Sequence, residues 1–315
     1  MMVVGLICIP FCRSALSLLL FLGIVLACGT GAIAFAIIMG AITPVLGEKT
    51  AAVVSGFISA SSGLGGTILS PLMQFLIDAV GFRAMLLVLC IPVALLIPIS
   101  LWLSYAGKTS KTETEKIPEE ASLSELLKLT IYDRNCLRIF LAFFTCGFYM
   151  AIIEIHLFTQ YTSYGFSNTL VAFAFSIYGI GAMLGCILTG FLDTVFDNKL
   201  VLGSVYASRV LIILSLLLLP KTPVFVYITA FLFGLSGNAT VPPTSGLLTK
   251  LFGPKKLAAL FGMAFLIHQV GMFFSSWLGG VFAKATGSYT LIWCISLVFS
   301  AGAALLCFSV HNTNR

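Results

Sequence analysis

The sequence predicts an all-α fold, a polytopic bundle of membrane helices with about nine complete spans and a partial one. Three observations indicate this class. Of the 315 residues, 59% are hydrophobic and only 9% are charged, and the mean hydropathy is +1.10. A soluble domain carries roughly 25% charged residues, so this chain lacks the polar surface that water requires. The apolar residues also form long runs of the length that crosses a bilayer.

The spans follow from the rule that a transmembrane helix needs about 20 mostly apolar residues. Successive apolar runs predict helices over these ranges: 15–43, 50–77, 84–105, 138–161, 168–192, 200–219, 223–249, 256–283 and 288–310. Ahead of them, the apolar run 1–11 is too short to cross, and it lacks the basic start and the cleavage site of a signal peptide. We interpret it as the second half of a helix.

One hydrophilic stretch, residues 106–133, separates a front part from a rear part of six helices. Its first half mixes charges with Pro118 and is expected to be mobile. Its second half starts with Ser122 and Glu125 at capping-box spacing, which predicts a short amphipathic helix on the membrane surface. The predicted domains are a truncated N-terminal helical half, a cytoplasmic linker and a C-terminal half: 1–105, 106–137 and 138–315.

Basic residues orient the predicted spans, because Lys and Arg gather in cytoplasmic loops. Most of the 17 Lys and Arg fall on the side of the linker and the C-terminus. We therefore predict an integral protein of the plasma (inner) membrane with a cytoplasmic C-terminus. The net charge of +6 reflects this bias and does not imply nucleic-acid binding.

The sequence contains no motif for a cofactor, a metal or an enzymatic reaction. The nine cysteines are scattered without a CxxC pair, so neither disulfide nor metal spacing is present. The glycine groups at 29–31 and 63–66 lack the βαβ context of a nucleotide site, and HExxH and Gly-x-Ser-x-Gly are absent. We predict no cofactor and no bound metal, and a membrane enzyme is a disfavoured alternative.

A family resemblance rests on three segments. The run from Gly56 through Gly63 to Gly66, followed by Pro71, Asp78 and Gly81-Phe-Arg, resembles the fifth helix and following turn of the major facilitator superfamily, in its monocarboxylate-transporter-like and oxalate-formate-antiporter-like branch. Residues 156–165 resemble the end of the seventh helix of that family, and residues 257–293 its eleventh helix and the next turn. These segments span most of the chain.

The resemblance implies a fold of two six-helix halves with the solute site at mid-membrane between them. On this alignment the nine spans are helices 4 to 12, and the family's helices 1, 2 and part of 3 have no counterpart in the sequence. The implied function is secondary active transport of a small organic solute by alternating access. A monocarboxylate or other organic anion is the favoured class, with protons as a candidate partner; symport, antiport and oligomeric state stay open. The alternative is a truncated, non-transporting member of the family.

Candidate solute contacts follow from helical spacing, since residues three or four apart share a face. Three spans carry a polar stripe of this kind: Tyr149, Ile152, His156 and Gln160; Asn238, Pro242, Ser245 and Thr249; His268, Met272, Ser275 and Gly279. The predicted solute-binding residues are His268, Gln269, Asn238, Ser245, Tyr149, His156 and Gln160. Each could instead bond to a neighbouring helix, and His156 lies near a helix end, where an interfacial role is favoured.

Three charged residues near or within the spans are predicted to be structural. Glu154 and Arg209 lie inside predicted spans, where an isolated charge costs about 2.5 to 3.5 kcal/mol on insertion scales, so each needs a partner or water. Asp193 follows Gly190 and Leu192 one place earlier than the family pattern has its acid. Small residues such as Gly63 and Gly185 are predicted to allow close helix packing.

Overall fold

The computed structural model describes residues 1–33, 35–46, 48–109 and 123–311, and every regular element in these ranges is a helix. The all-α class is confirmed. The α-helices are α1 (Met2–Cys8), α2 (Ala15–Leu18), α3 (Ala27–Gly31), α4 (Phe35–Leu46), α5 (Glu48–Thr109), α6 (Leu123–Tyr132), α7 (Arg134–Ala151), α8 (Leu157–Ser163), α9 (Asn168–Leu192), α10 (Asn198–Leu218), α11 (Pro223–Gly237), α12 (Val241–Phe252), α13 (Leu257–Thr286) and α14 (Thr290–Phe308). Short π and 3₁₀ segments join some of them: Ile9–Phe11, Leu19–Leu26, Ile152–His156, Asn238–Thr240 and Pro254–Lys256.

Eight helical stretches of the described chain are long and apolar enough to cross a membrane. One of them, Thr50–Leu101, has 52 residues and would be about 78 Å long as a straight helix, far beyond the roughly 30 Å of a hydrocarbon core. Gly81 interrupts it with φ 82° and ψ 163°, a conformation that glycine adopts readily. Its two arms overlap the predicted spans 50–77 and 84–105, so the eight stretches overlap all nine predicted ranges.

The chain divides into two compact units, Met1–Ile37 with Leu72–Glu120, and Ile38–Pro71 with Ala121–Arg315. This grouping joins residues 38–71 to the C-terminal helices, whereas the sequence predicts a boundary after residue 105. The predicted domain boundaries remain a proposal. Residues 110–122, which include most of the linker half predicted to be mobile and the predicted cap at Ser122, lie outside the described residues.

The first unit keeps many large apolar side chains on its surface. Leu16, Phe75 and Ile91 are 76%, 67% and 64% exposed. In its interior, α1 approaches the π segment so closely at Gly5 that an added methyl group would lie 2.9 Å from the Leu26 Cβ. A surface of this kind suits contact with lipid, which is as apolar as these side chains.

The second unit contains most of the buried core, and glycines set its closest helix contacts. α7 packs on α13 where Gly147 meets the His268 carbonyl and Gly271 meets the Phe144 carbonyl, with no room for a methyl group at either glycine. Gly63 of α5 meets α9 in the same way, and Gly185 of α9 meets Leu235 of α11. The packing role that the sequence predicts for the small residues is confirmed at these positions.

Candidate functional site

The apolar stretch Pro223–Phe252 is broken in its middle. α11 ends at Gly237, the chain passes through the 3₁₀ turn Asn238–Thr240, and α12 continues from Val241. Pro242 and Pro243 explain the break, because a proline has no N–H to donate to the carbonyl four residues earlier. Backbone polar groups in mid-span are therefore left to find partners outside their own helix.

Asn238 occupies the break and is the predicted site residue that remains partly open there. Its Nδ2 donates a hydrogen bond of 3.1 Å to the Oγ of Ser62 in α5. Ser245, further along the same predicted stripe, is buried, and its carbonyl accepts from the Oγ1 of Thr249 at 2.8 Å. At the break, the Asn238 side chain is thus partly exposed, whereas Ser245 is buried against neighbouring helices.

Arg209 of α10 contacts the broken helix at the end of α11. Its side chain is fully buried in α10, and its Nη2 donates to the carbonyls of Ser236 and Gly237, both at 2.8 Å. The guanidinium also lies over the rings of Tyr149 and Tyr206, with its carbon 4.4 and 4.8 Å from their centroids. The predicted structural charge therefore has backbone carbonyls as its hydrogen-bond partners.

The predicted stripe on α7 and α8 lies in the protein core. The Tyr149 hydroxyl is 2.9 Å from the Ser236 Oγ. His156 lies 3.0 Å from the Ser276 carbonyl through its Nε2, which must carry the hydrogen because a carbonyl only accepts. Gln160 accepts from the Trp293 Nε1 at 2.8 Å and donates to the Tyr164 hydroxyl at 2.7 Å. The structure thus gives all three residues partners within the bundle.

A different face of α7, which continues into the π segment Ile152–His156 and which sequence reasoning missed, meets the break. Cys146, Met150 and Glu154 follow one another by four residues. The Cys146 thiol is 3.1 Å from the Thr240 Oγ1, and the Met150 sulfur is 4.0 Å from the Tyr178 hydroxyl. The one signal in the sequence was the four-residue spacing itself, which this face shares with the stripe already predicted.

Glu154 is exposed, although it interacts electrostatically with His268 of α13 and Tyr178 of α9. Glu154 is thus exposed at a place where side chains of two other helices lie close enough to interact with its carboxyl. It stands in the π segment Ile152–His156, and such segments are frequent at functional sites. Glu154 thus differs from the buried Arg209, which is also predicted to be a structural charge.

The two neighbouring candidates on α13 lie on different faces. His268 is 92% buried and packs 5.1 Å from the Phe143 ring and 5.7 Å from the Phe265 ring, centroid to centroid. Its Nδ1 is buried without a hydrogen-bond partner in the described structure. Gln269 is exposed. His268 therefore faces α7 with one nitrogen free, and Gln269 points away from it.

Asp193, at the end of α9, lines a cavity of about 160 Å³ together with Ala52, Asn198 and Lys250. Burial raises the pKa of the Asp193 carboxyl to about 8, and the nearby Asn198 side chain lowers it in part. Lys250 pairs with Asp197 at 3.0 Å rather than with Asp193. The surroundings of Asp193 therefore favour its neutral form over the charged carboxylate.

A larger cavity of about 670 Å³ lies among α9, α10 and α11. Its walls are mostly apolar, as Leu188, Val205 and Leu232 illustrate, and it contains none of the predicted solute-binding residues. Its lining contains no charged side chain, and its polar side chains are the hydroxyls of Thr189, Ser204, Ser208, Ser215 and Ser236. Across the ranges that the structure describes, no group of His, Cys, Asp or Glu is arranged to hold a metal ion.

Comparison with known proteins adds to this geometry. The chain matches the Major Facilitator Superfamily over residues 1–222 and 161–315. It is 25% identical to monocarboxylate transporter 12 of Homo sapiens, over 94% of this chain and 63% of that protein, and 26% identical to monocarboxylate transporter 12 of Xenopus laevis, over 79% and 59%. An uncharacterized MFS-type transporter of Bacillus subtilis, YcxA, is 29% identical over 52% of this chain and 41% of its own length. The chain spans less than two thirds of the length of these relatives.

Proposed function

The chain belongs to the major facilitator superfamily, and on this premise we propose that it carries a small organic solute across a membrane as a secondary active transporter. Membership in this family indicates a transport protein and not an enzyme. The proposed mechanism is alternating access, in which two groups of helices rock around a solute held near the middle of the membrane.

The observation that carries the proposal is the break between α11 and α12. Irregular backbone inside a membrane is tolerated only where protein buries it or where it lines a water-filled space, and transporters typically bind solutes at discontinuous helices. Here the break lies mid-span, and Asn238 stands in it, partly open and bonded through Nδ2 to Ser62. Its amide oxygen is available to a solute that donates a hydrogen bond.

We propose that the solute site lies between this break and the face of α7 that carries Glu154. Glu154 supplies an exposed carboxyl, and His268 interacts with it electrostatically. Gln269 stays a candidate because it is exposed. For Tyr149, His156, Gln160 and Ser245, the hydrogen bonds and burial described above support a packing role more strongly than solute contact.

The proposed solute class is a monocarboxylate or a related organic anion. Similarity to proteins named monocarboxylate transporter 12 supports this class. An anion near Glu154 would require that this carboxyl be protonated or that His268 carry a positive charge, since two like charges repel. Coupling to protons would meet this requirement, and imidazole changes its charge most readily near neutral pH. The plasma membrane and a cytoplasmic C-terminus remain our proposals for location and orientation.

Uptake into liposomes that contain the purified 315-residue chain tests the proposal. A panel of radiolabelled monocarboxylates should enter or exchange above the protein-free background, and Asn238→Ala should reduce the rate by about tenfold, the cost of one lost polar contact. Asn168→Ala is the matched control, because Asn168 is exposed at the start of α9, and it should transport like the wild type.

Two results would contradict parts of the proposal separately. If no member of the panel enters or exchanges, a monocarboxylate is not the solute of this chain. If solutes do move but Asn238→Ala matches Asn168→Ala, the break between α11 and α12 is not the binding site.

A further inference from the structure

We propose that Arg209 is a positioning residue for transport: from behind the broken helix it fixes the turn that presents Asn238, without touching the solute itself. The proposal rests on the proposed function, because it assigns a role within the same site. It differs from the purely structural role that the sequence indicates, since it predicts an effect on solute affinity.

Arg209 acts as a cap that a neighbouring helix supplies. The last carbonyls of a helix have no partner within it, and at the end of α11 the guanidinium provides one. The Ser236 carbonyl accepts from Nη2 at 2.8 Å and from Nε at 3.2 Å, and the Gly237 carbonyl accepts from Nη2 at 2.8 Å. These bonds fix the two peptide units directly before Asn238.

The same cluster also holds the chain after Asn238. Nη2 of Arg209 lies 3.4 Å from the Cys146 sulfur, and that sulfur lies 3.1 Å from the Thr240 Oγ1. Asn238 is therefore bracketed by Gly237 and Thr240, and both are tied to the same side of the protein. Between these two ties, the Asn238 side chain stays partly open and its Nδ2 donates to the Ser62 Oγ at 3.1 Å.

Electrostatics favour this arrangement. Within the described part of the chain, no carboxylate pairs with Arg209, and the positive charge meets the C-terminal end of α11, where the helix dipole is negative. The rings of Tyr149 and Tyr206 add cation–π contacts. The flat, forked guanidinium reaches two carbonyls and a thiol in a fixed geometry, which the compact ammonium of lysine on its flexible stem does not reproduce.

Arg209→Lys tests the proposal in the reconstituted chain, because it keeps the charge and removes the fork. The Michaelis constant for the transported solute should rise at least tenfold, with the maximal rate changed less than twofold. Arg138→Lys is the matched control: Arg138 also donates to a backbone carbonyl, that of Ser309 at 2.9 Å, but far from the break in sequence. Its kinetics should equal those of the wild type.

A double variant separates positioning from general structural support. If Arg209 acts through Asn238, adding Arg209→Lys to Asn238→Ala should raise the Michaelis constant by less than twofold beyond Asn238→Ala alone. Independent multiplication of the two effects would overturn the proposal. An unchanged Michaelis constant in Arg209→Lys would overturn it as well.

Hydrogen exchange of the backbone amides gives a readout that does not depend on transport. Exchange at residues 238–241 should rise at least tenfold in Arg209→Lys, while the amides of α13 keep wild-type rates; equal rates at 238–241 would overturn the proposal. If the wild type moves no solute, the proposed function fails, but this measurement still decides whether Arg209 fixes the break. Should Arg209→Lys not fold, Cys146→Ala replaces it, because it loosens only the Thr240 side and should raise exchange there.

Discussion

Away from the ends of the predicted spans, Arg209 and Glu154 are the two full charges inside them, and the structure accommodates these two in opposite ways. Arg209 is fully buried, with carbonyl partners at 2.8 Å. Glu154 is exposed and has no hydrogen bond within the described residues. A charge in a membrane protein can thus be retained by burying it against backbone carbonyls, here with the Nη1 of Arg209 left without a hydrogen-bond partner in the described structure, or by leaving it exposed. The first arrangement favours one conformation, whereas the second leaves the group free to react to a solute or a proton.

Replacing Arg209 by leucine should cause the largest loss of stability among these variants. Arg209→Leu removes the side-chain hydrogen bonds to the Ser236 and Gly237 carbonyls, and a buried polar group that loses its partner costs about 1 to 3 kcal/mol. We expect the free energy of unfolding to fall by about 3 kcal/mol, measured by thermal or denaturant unfolding in detergent. Arg138→Leu serves as the control and should lose less than half as much. A loss below about 1 kcal/mol for Arg209→Leu would mean that the carbonyls find other partners.

Gln160 tests whether a neutral buried side chain stabilises the fold through its hydrogen bonds, as Arg209 does. Gln160→Leu removes the bonds to Trp293 and Tyr164, and we expect a loss of about 1 to 2 kcal/mol in stability with an unchanged Michaelis constant for transport. Gln269→Leu, at an exposed position, should change stability by less than about 0.5 kcal/mol. A raised Michaelis constant in Gln160→Leu at wild-type stability would instead show that Gln160 contacts solute.

Asp193 adds a pH dependence to the comparison. Its carboxyl has a pKa of about 8 in the folded protein, against about 3.9 in an unfolded chain. Its contribution to stability is therefore fully present below about pH 4 and is lost as the pH rises toward 8. Asp193→Asn should flatten this slope and raise stability at pH 8 by about 1 kcal/mol, after allowance for partial exposure to solvent. Parallel stability curves for variant and wild type between pH 4 and 8 would contradict the raised pKa.

The smallest effect on stability should come from Glu154→Gln. Because its carboxyl is exposed and makes no hydrogen bond within the described chain, the variant should unfold within about 0.5 kcal/mol of the wild type. Transport should nevertheless lose its pH dependence, which uptake measured from pH 5 to 8 would reveal. His268→Ala is the companion variant and should act in the same direction. If Glu154→Gln costs as much stability as Gln160→Leu, the contrast with Arg209 is wrong.

The positions of the helices could be read from the sequence, because hydropathy reports the length of each span directly. The sequence did not show which side of α7 faces the proposed site. Tyr149, His156 and Gln160 share a face, as their spacing predicts, but the spacing does not say whether that face meets open space or a neighbouring helix. In a membrane both surroundings are compatible with polar residues, since polar groups in the interior bond to one another.

The break between α11 and α12 was partly foreseeable. Gly237 with Pro242 and Pro243 marks a weak point in an apolar span, and proline removes helix hydrogen bonds by its covalent structure. The residue that caps the break could not be inferred, because Arg209 lies 27 residues before Ser236 in the chain. Only the packing of α10 behind α11 brings them together.

The glycine contacts between α7 and α13 have a mechanical consequence. Gly147 faces the His268 carbonyl and Gly271 faces the Phe144 carbonyl, so the two helices interlock reciprocally. Sliding one helix past the other by a single residue would drive a side chain into a backbone oxygen. We therefore expect α7 and α13 to move as one rigid unit. A motion that displaces His268 on α13 would then also displace Cys146 on α7.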